Sequence, residues 1–317
     1  MRTRIDPFIV ALLAAALLAS FVPATGDALD GLKIVSLVSI GLLFFLYGAR
    51  LSTSETLAGL RQWRLHAFIL ATTFIVFPLL GLSMQLLEPS LLTPALASAV
   101  LLLCLMPSSV QSCVVYTGVA HGNVAGAVVS ASLSNFLGIF ITPALAALLM
   151  TAQAHIDANS VIRIVLQLIV PFVMGQVLRP VVGKWVVRND PKLRFFDRFC
   201  IVLVVFVAFS QGARADIWSS LSVWSVLTVA AVCFVLLVLV VGWSWGVGKI
   251  LGFSRWDRIP MVFCGFNKSL VTGVPIASVL FAGSNVALLV LPLMIYHQFQ
   301  IIIGAFIATR LARTRPR

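Results

Sequence analysis

Two polar segments interrupt an otherwise apolar chain, and they hold the residues best able to bind a ligand. These segments are Pro107-Ser108-Ser109-Val110-Gln111-Ser112-Cys113 and Asn267-Lys268-Ser269-Leu270-Val271-Thr272-Gly273. Their hydroxyl, amide and ammonium groups can hydrogen-bond to an anion or coordinate an ion. No nucleotide-binding loop, His-Glu-x-x-His motif or nucleophile elbow accompanies them. The sequence therefore predicts ligand binding, and the chain is not predicted to be an enzyme.

Lys268 is the basic residue of this set, and we predict that it lies within a membrane span. An intramembrane ammonium costs at least a few kcal/mol, so it needs a substrate, a group of backbone carbonyls or a neutral state. The alternative is a lysine that reaches the membrane surface from near a helix end. The polar neighbours Asn267, Ser269 and Thr272 favour the functional interpretation.

The predicted substrate and ion site combines polar side chains that lie at similar depth around the two segments. The candidates are Thr73, Ser108, Ser109, Gln111, Ser112, Ser134, Asn135, Asn267, Lys268, Ser269, Thr272, His297 and Gln298. Taken singly, each is also explained as an interhelical hydrogen-bonding residue. Their grouping is what favours a site. His66 and His121 are instead expected in cytoplasmic turns, in contact with water.

The elements that position these residues are predicted to be transmembrane helices. The chain has 317 residues, of which 61% are hydrophobic and 10% charged, whereas soluble domains carry about 25% charged residues. Apolar runs of about 20 residues, the length that crosses a bilayer, recur throughout. The predicted spans are 7–25, 32–50, 66–87, 93–120, 124–150, 160–179, 196–213, 220–247, 259–282 and 286–309.

The basic residues predict the orientation. Placing both termini in the cytoplasm puts 18 of the 22 Lys and Arg residues on the inner side and leaves Lys33, Arg163 and Arg214 outside, as the positive-inside rule requires. The segment 180–198 is predicted to be the longest cytoplasmic link and to lie along the headgroups. The net charge is +12, but the basic residues are scattered and form no stripe with aromatic residues between them. Nucleic acid is therefore not predicted as a partner.

The two polar segments occupy corresponding places in the halves 1–151 and 152–317. The first is followed by Gly122-Asn123-Val124-Ala125 and the second by Ser284-Asn285-Val286-Ala287. Because each half has five spans, the repeat is predicted to be inverted. Interrupted helices at matching positions of inverted repeats indicate a substrate site near the bilayer midplane, and the amino-terminal ends of half-helices favour anions. The alternative is that the prolines only kink two helices.

The stretch from Pro107 to Pro143 resembles the fourth and fifth helices of the bile acid:sodium symporter superfamily, solute carrier family 10. The resemblance rests on the motifs Gly122-Asn123-Val124-Ala125 and Ile141-Thr142-Pro143. The run Phe263 to Pro275 and the loop Gly59-Leu60-Arg61-Gln62-Trp63-Arg64 resemble its lysine-bearing subgroup, which includes bacterial members and vertebrate member seven. The resemblance covers essentially the whole chain.

The resemblance implies an all-α membrane protein of ten helices, built as two inverted five-helix repeats. It implies a panel of spans one, two, six and seven, and a core of spans three to five and eight to ten. The broken helices four and nine cross in that core. The family implies alternating access, with an organic anion between panel and core and sodium behind the crossover.

The chain departs from the sodium-coupled members at the positions that the resemblance assigns to sodium. Phe263 stands in place of a glutamate and Lys268 in place of an asparagine, while Ala127 and Ala131 replace hydroxyl ligands. Of the polar group in the fourth helix, only Gln111, Ser112 and Cys113 remain, so the predicted sodium site is weak. Our hypothesis is that the Lys268 ammonium takes the place of sodium and either holds the crossover together or exchanges a proton.

We therefore predict a secondary active transporter of a small organic anion in the inner membrane. It is coupled to sodium if the family pattern holds, and otherwise to protons or to nothing. No cofactor is predicted, with the sodium ion left open, and the chain is expected to be a monomer or a weak homodimer in the lipid bilayer. The alternative function is a non-transporting membrane regulator of cation homeostasis, which the subgroup suggests.

Overall fold

A computed structural model describes residues 7–50, 62–150, 162, 165–215, 221–281 and 286–314, and its regular elements within these ranges are all helical. The helices are α1 (Pro7–Phe21), α2 (Gly26–Arg50), α3 (Trp63–Leu87), α4 (Pro94–Leu105), α5 (Val110–Val119), α6 (Val124–Leu149), α7 (Val165–Arg188), α8 (Asp190–Arg214), α9 (Val223–Ile250), α10 (Arg255–Phe266), α11 (Leu270–Leu280) and α12 (Val286–Arg313). The predicted residues Arg2, Arg4, Gly59, Leu60, Arg61, Arg163, Ser284, Asn285, Arg315 and Arg317 lie outside the described ranges.

The helices have the length and composition of membrane spans. Within the described ranges, seven helical stretches are long and apolar enough to cross a membrane, one of them formed by α10 and α11 together, and the bent pair α4 and α5 makes eight. Within the described ranges, each predicted span overlaps a helix or a helix pair. The all-α membrane fold therefore agrees with the sequence, whereas the inverted repeat stays a prediction.

The described residues group into two compact units. One is formed from residues 1–51, 154–222 and 274–288, and the other from 52–153, 223–273 and 289–317. The predicted boundary at residues 151 and 152 separates two sequence repeats and not these two units. It also stays a prediction.

In the first unit, α2 and α7 pack through facing glycines. A Cβ atom on Gly48 would collide with the backbone carbonyl of Phe172, and one on Gly175 with the carbonyl of Phe45. Small residues let transmembrane helices approach this closely, and such approach is a main source of helix association in lipid. The absence of side chains at Gly48 and Gly175 therefore allows α2 and α7 to pack in contact.

The prediction of a long link at 180–198 is wrong, because these residues belong to two helices, while their position along the headgroups stays a prediction. The helix α7 continues to Arg188 and α8 begins at Asp190. Basic residues such as Lys184 and Arg188 are good helix formers, so a helix can continue past the end of its apolar run. The start of α8 is anchored by Arg50, whose guanidinium pairs with Asp197 and lies 3.5 Å from Asp190.

The second unit contains both helix breaks. Residues 106–109 separate α4 from α5 and bend their axes by 62°. Residues 267–269 separate α10 from α11. The intact helix α3 also departs from regular geometry, with a π-helical turn at Thr72–Val76. Such turns widen a helix locally, and they free backbone carbonyls from their usual partners.

The prediction for His66 is also wrong. Its side chain is 2% exposed, and its Nδ1 atom lies 2.7 Å from Ser130 Oγ on α6. The neighbouring Leu65 and Ile69 belong to a buried apolar cluster that α6 and α10 share. The helix begins at Trp63, three residues before the predicted span, so His66 is inside the packed helix.

Candidate functional site

The two helix breaks lie in direct contact within the second unit. The backbone N–H of Ser269 donates to the carbonyl of Pro107 at 2.8 Å. Ser108 Oγ donates to the carbonyl of Cys264 at 2.8 Å, and Cys113 Sγ lies 3.2 Å from the carbonyl of Phe263. Each break therefore supplies hydrogen-bonding partners for the other, which satisfies polar backbone that could not face lipid.

Lys268 extends from the second break to the end of α4. Its Nζ atom donates to the carbonyls of Met106 at 2.7 Å, Cys104 at 3.0 Å and Thr73 at 3.5 Å. It also lies 3.8 Å from the centroid of the Phe77 ring. The residue is 0% exposed, so it does not reach a membrane surface.

This arrangement stabilises a cation without a carboxylate. An ammonium has three donors, and here three carbonyls accept from it. Two of the carbonyls end α4, where the helix dipole places partial negative charge. The Phe77 ring adds a cation–π contact. Backbone groups thus form the binding site of the Lys268 ammonium.

The backbone of the first break is satisfied by side chains of α6. Ser134 Oγ accepts from the N–H of Ser108 at 3.0 Å, and Asn135 Nδ2 donates to the carbonyl of Ser108. Thr142 Oγ1 donates to the carbonyl of Leu105 at 2.8 Å. These bonds replace the helical hydrogen bonds that the break removes.

The backbone of the second break is satisfied by α12. Gln300 Oε1 accepts from the N–H of Lys268 at 2.7 Å, and Gln300 Nε2 donates to the carbonyl of Lys268 at 2.9 Å. Tyr296 Oη donates to the carbonyl of Phe266 at 2.7 Å. The sequence places Gln300 at this depth, close to Tyr296, but Gln300 is not among the predicted ligands. The signal that it belongs there is its spacing of four residues from Tyr296, which places both on one helix face.

Polar side chains of the predicted site also lie at the starts of the half-helices that follow the breaks. Ser269 Oγ accepts from the N–H of Thr272 at 3.1 Å and so caps α11. Thr272 Oγ1 in turn donates to Asn135 Oδ1 at 2.7 Å. At the start of α5, Ser109 and Ser112 are half-buried, and Gln111 is exposed.

Other predicted residues take different positions. Thr73 contributes its carbonyl, while its hydroxyl donates to Ile69 at 2.9 Å. His297 Nδ1 lies 2.7 Å from Gln300 Nε2 and contacts Lys268 through that residue. Gln298 is partly buried, and its Nε2 atom has no hydrogen-bond partner. Asn267 Nδ2 donates to the carbonyl of Phe263, and its buried Oδ1 atom has no partner.

The positions aligned with sodium ligands lack side-chain oxygens. Phe263 is fully buried, with its ring centroid 5.6 Å from that of Tyr116. Ala127 and Ala131 are also fully buried and belong to an apolar cluster. In the described part of the chain, no three His, Cys, Asp or Glu residues form a group that could hold a metal ion. These donors do not fit sodium, which is bound by oxygen atoms.

Comparisons with known proteins show the family of this chain. A family model, the SBF-like CPA transporter family, matches residues 6–313. The chain belongs to the SBF-like CPA transporter family. The resemblance to the bile acid:sodium symporter superfamily, predicted from residues 107–143 and 263–275, is thereby confirmed.

Three relatives match this chain over nearly their full length. An uncharacterized protein of Pseudomonas aeruginosa is 45% identical over 312 residues, covering 98% of this chain and 94% of the relative. YfeH of Escherichia coli, named as a candidate symporter, is 42% identical over 310 residues, covering 98% and 93%. The rat protein named sodium/bile acid cotransporter 7 is 28% identical over 315 residues, covering 96% and 92%.

Proposed function

We propose that this protein is a secondary active transporter of a small organic anion that works by alternating access. We place it in the inner membrane, with both termini in the cytoplasm. The observation that carries the proposal is the hydrogen bond from Ser269 to Pro107, which joins two helix breaks in one polar cluster. Irregular backbone at the depth of a membrane span is tolerated where it is buried or lines a cavity, and transporters use it to bind substrates.

The anion is expected at the amino-terminal ends of the half-helices. The first amides of a helix have no helical partners and carry partial positive charge. The start of α5 offers Ser109, Ser112 and the exposed Gln111 as hydrogen-bonding side chains. The Lys268 ammonium already has three acceptors, so we assign it to the crossover and not to direct contact with the substrate.

Sodium is not required at the crossover in this proposal. The aligned residues Phe263, Ala127 and Ala131 offer no side-chain oxygen, and the fixed ammonium of Lys268 would repel a second cation nearby. We infer that Lys268 supplies the positive charge that an ion would supply. Transport is then coupled to protons or uncoupled.

A thermal-shift panel of organic anions tests the proposal on the full chain. Cholate is the first probe, because the rat relative is named as a bile acid cotransporter. A ligand that binds the native state raises the unfolding midpoint. We expect at least one anion to raise it equally with and without sodium, and Gln111→Ala to weaken that shift. Lys249→Ala, at an exposed lysine of α9, is the control.

Uptake into proteoliposomes then separates a carrier from the alternative, a membrane regulator of cation homeostasis. A carrier accumulates the bound anion above the level in protein-free liposomes, and Gln111→Ala slows this uptake. A regulator carries no anion and tolerates Gln111→Ala. If no anion binds or enters, the transport proposal is wrong.

A further inference from the structure

Gln300 of α12 binds both backbone groups of a single residue, Lys268. Its carboxamide oxygen accepts from the Lys268 N–H at 2.7 Å, and its nitrogen donates to the Lys268 carbonyl at 2.9 Å. Gln300 is 0% exposed. A break in a helix leaves such groups without their usual partners, and an unpaired buried group destabilises the fold.

The orientation of the Gln300 carboxamide is fixed by its partners. The oxygen faces an N–H donor, and the nitrogen faces two acceptors, the Lys268 carbonyl and His297 Nδ1 at 2.7 Å. A side chain in this place must therefore present one donor and one acceptor side by side. The titratable groups near it in the described structure are His297 and Tyr296 on α12 and Lys268 in the break.

The first break is held in a parallel way. There the N–H of Ser108 donates to Ser134 and its carbonyl accepts from Asn135. In both cases the polar side chains come from the long helix that follows the break along the chain, α6 for Ser108 and α12 for Lys268. In both breaks, the backbone groups of one residue are therefore paired with polar side chains of a following long helix.

We propose that Gln300 is a positioning residue, which holds the backbone of Lys268 so that its ammonium reaches the carbonyls at the end of α4. The consequence of Gln300 for transport rests on the proposed function, but the effect of Gln300 on the crossover does not. When Gln300 loses its donor, the second break loosens, and Lys268 no longer joins α11 to α4.

The test uses Gln300→Glu and Gln300→Ala in the full chain. A protonated carboxyl presents one donor and one acceptor, as the amide does, whereas an ionised carboxylate presents acceptors only. Gln300→Glu should therefore hold the break at acidic pH and release it at alkaline pH. Gln300→Ala should release the break at every pH. The wild type should hold the break at every pH.

The readout is the rate at which N-ethylmaleimide labels each native cysteine, measured by mass spectrometry between pH 5.5 and 8.5. Cys104, Cys113 and Cys264 flank the breaks and are buried, while Cys200 is buried in the first unit. Rates are expressed relative to wild type at each pH, which cancels the pH dependence of the thiols. Labelling of a buried thiol requires local opening.

We expect Gln300→Ala to label Cys264 at least about tenfold faster than wild type, the effect of losing one buried hydrogen bond. Gln300→Glu should match this at pH 8.5 and approach wild type at pH 5.5, with Cys200 unchanged throughout. A rate for Gln300→Glu that shows no such pH dependence would overturn the proposal. So would an equal rise at Cys200, since that reports global loosening. No substrate is needed, so the outcome is independent of whether an anion is carried.

Discussion

At the scale of single residues, the site depends on a buried ammonium bound by backbone carbonyls. Removing a charge from water is costly, and a charge kept inside a membrane protein usually has a functional partner. Lys268 compensates this cost with the carbonyls of Thr73, Cys104 and Met106 and the ring of Phe77. In the proposed function it acts as a fixed cation at a helix end.

Replacing Lys268 with methionine tests this role, because Lys268→Met keeps the length of the side chain and removes its donors. Each carbonyl left unpaired costs about 1–3 kcal/mol, so we expect a clearly lower free energy of unfolding. Lys249→Met, at an exposed position, is the control and should leave stability unchanged. Equal unfolding midpoints for the two variants would show that the ammonium does not hold the crossover.

A second prediction for a single residue concerns Asn123, which caps the start of α6 and is 0% exposed. Its Nδ2 atom donates to Gln62 Oε1 and Asp257 Oδ1, both at 2.8 Å. Asn123→Asp replaces this donor with a carboxylate beside Asp257, so we expect a lower unfolding midpoint at neutral pH. Adding Asp257→Asn restores a donor and an acceptor. The double variant should be more stable than Asn123→Asp alone, and additive losses would contradict the pairing.

At the scale of helices, each break has its shape because a neighbouring helix leaves room for it. Gly138 of α6 faces Pro107, and a Cβ atom at this glycine would lie 2.7 Å from Pro107 Cβ and 2.9 Å from Pro107 Cγ. Both distances are shorter than a van der Waals contact. The first break can therefore occupy its place only while residue 138 lacks a side chain.

The variant Gly138→Ala should displace Pro107 and weaken the crossover. Overpacking of this kind typically costs about 1–3 kcal/mol, and we expect anion uptake to fall together with the unfolding midpoint. Gly246→Ala on α9 is the matched control, because a Cβ atom there meets nothing within 4 Å. It should leave stability equal or higher, since alanine is the better helix former. Indistinguishable variants would mean that α6 does not constrain the break.

At the scale of the whole molecule, the charge distribution predicts the topology. Fusing green fluorescent protein to each terminus should give fluorescent cells, because it fluoresces when it folds in the cytoplasm. Alkaline phosphatase at the same positions should be inactive. An active phosphatase fusion at either terminus would show that the orientation predicted from 18 of 22 basic residues is wrong.

The sequence predicted the helices and the breaks because lipid imposes simple rules. Spans must be long and apolar, and the polar runs around Pro107 and Lys268 violate this pattern visibly. The partners of Lys268 were not predictable, since backbone carbonyls occur in every sequence. The pairing of Gln300 with Lys268 was not predicted because the two residues lie 32 positions apart in the sequence. The errors at His66 and at 180–198 have one cause, which is that a helix held by tertiary contacts continues past its apolar run.

The most direct test of the account is the initial rate of anion uptake into proteoliposomes, using the anion that the thermal-shift panel selects. We expect saturable uptake by the wild type that is unchanged when choline replaces sodium. We expect a rate reduced about tenfold or more in Lys268→Met, the effect of losing at least 1.4 kcal/mol of stabilisation at the site, and no change in Lys249→Met. Uptake that requires sodium and is unaffected by Lys268→Met would contradict the account.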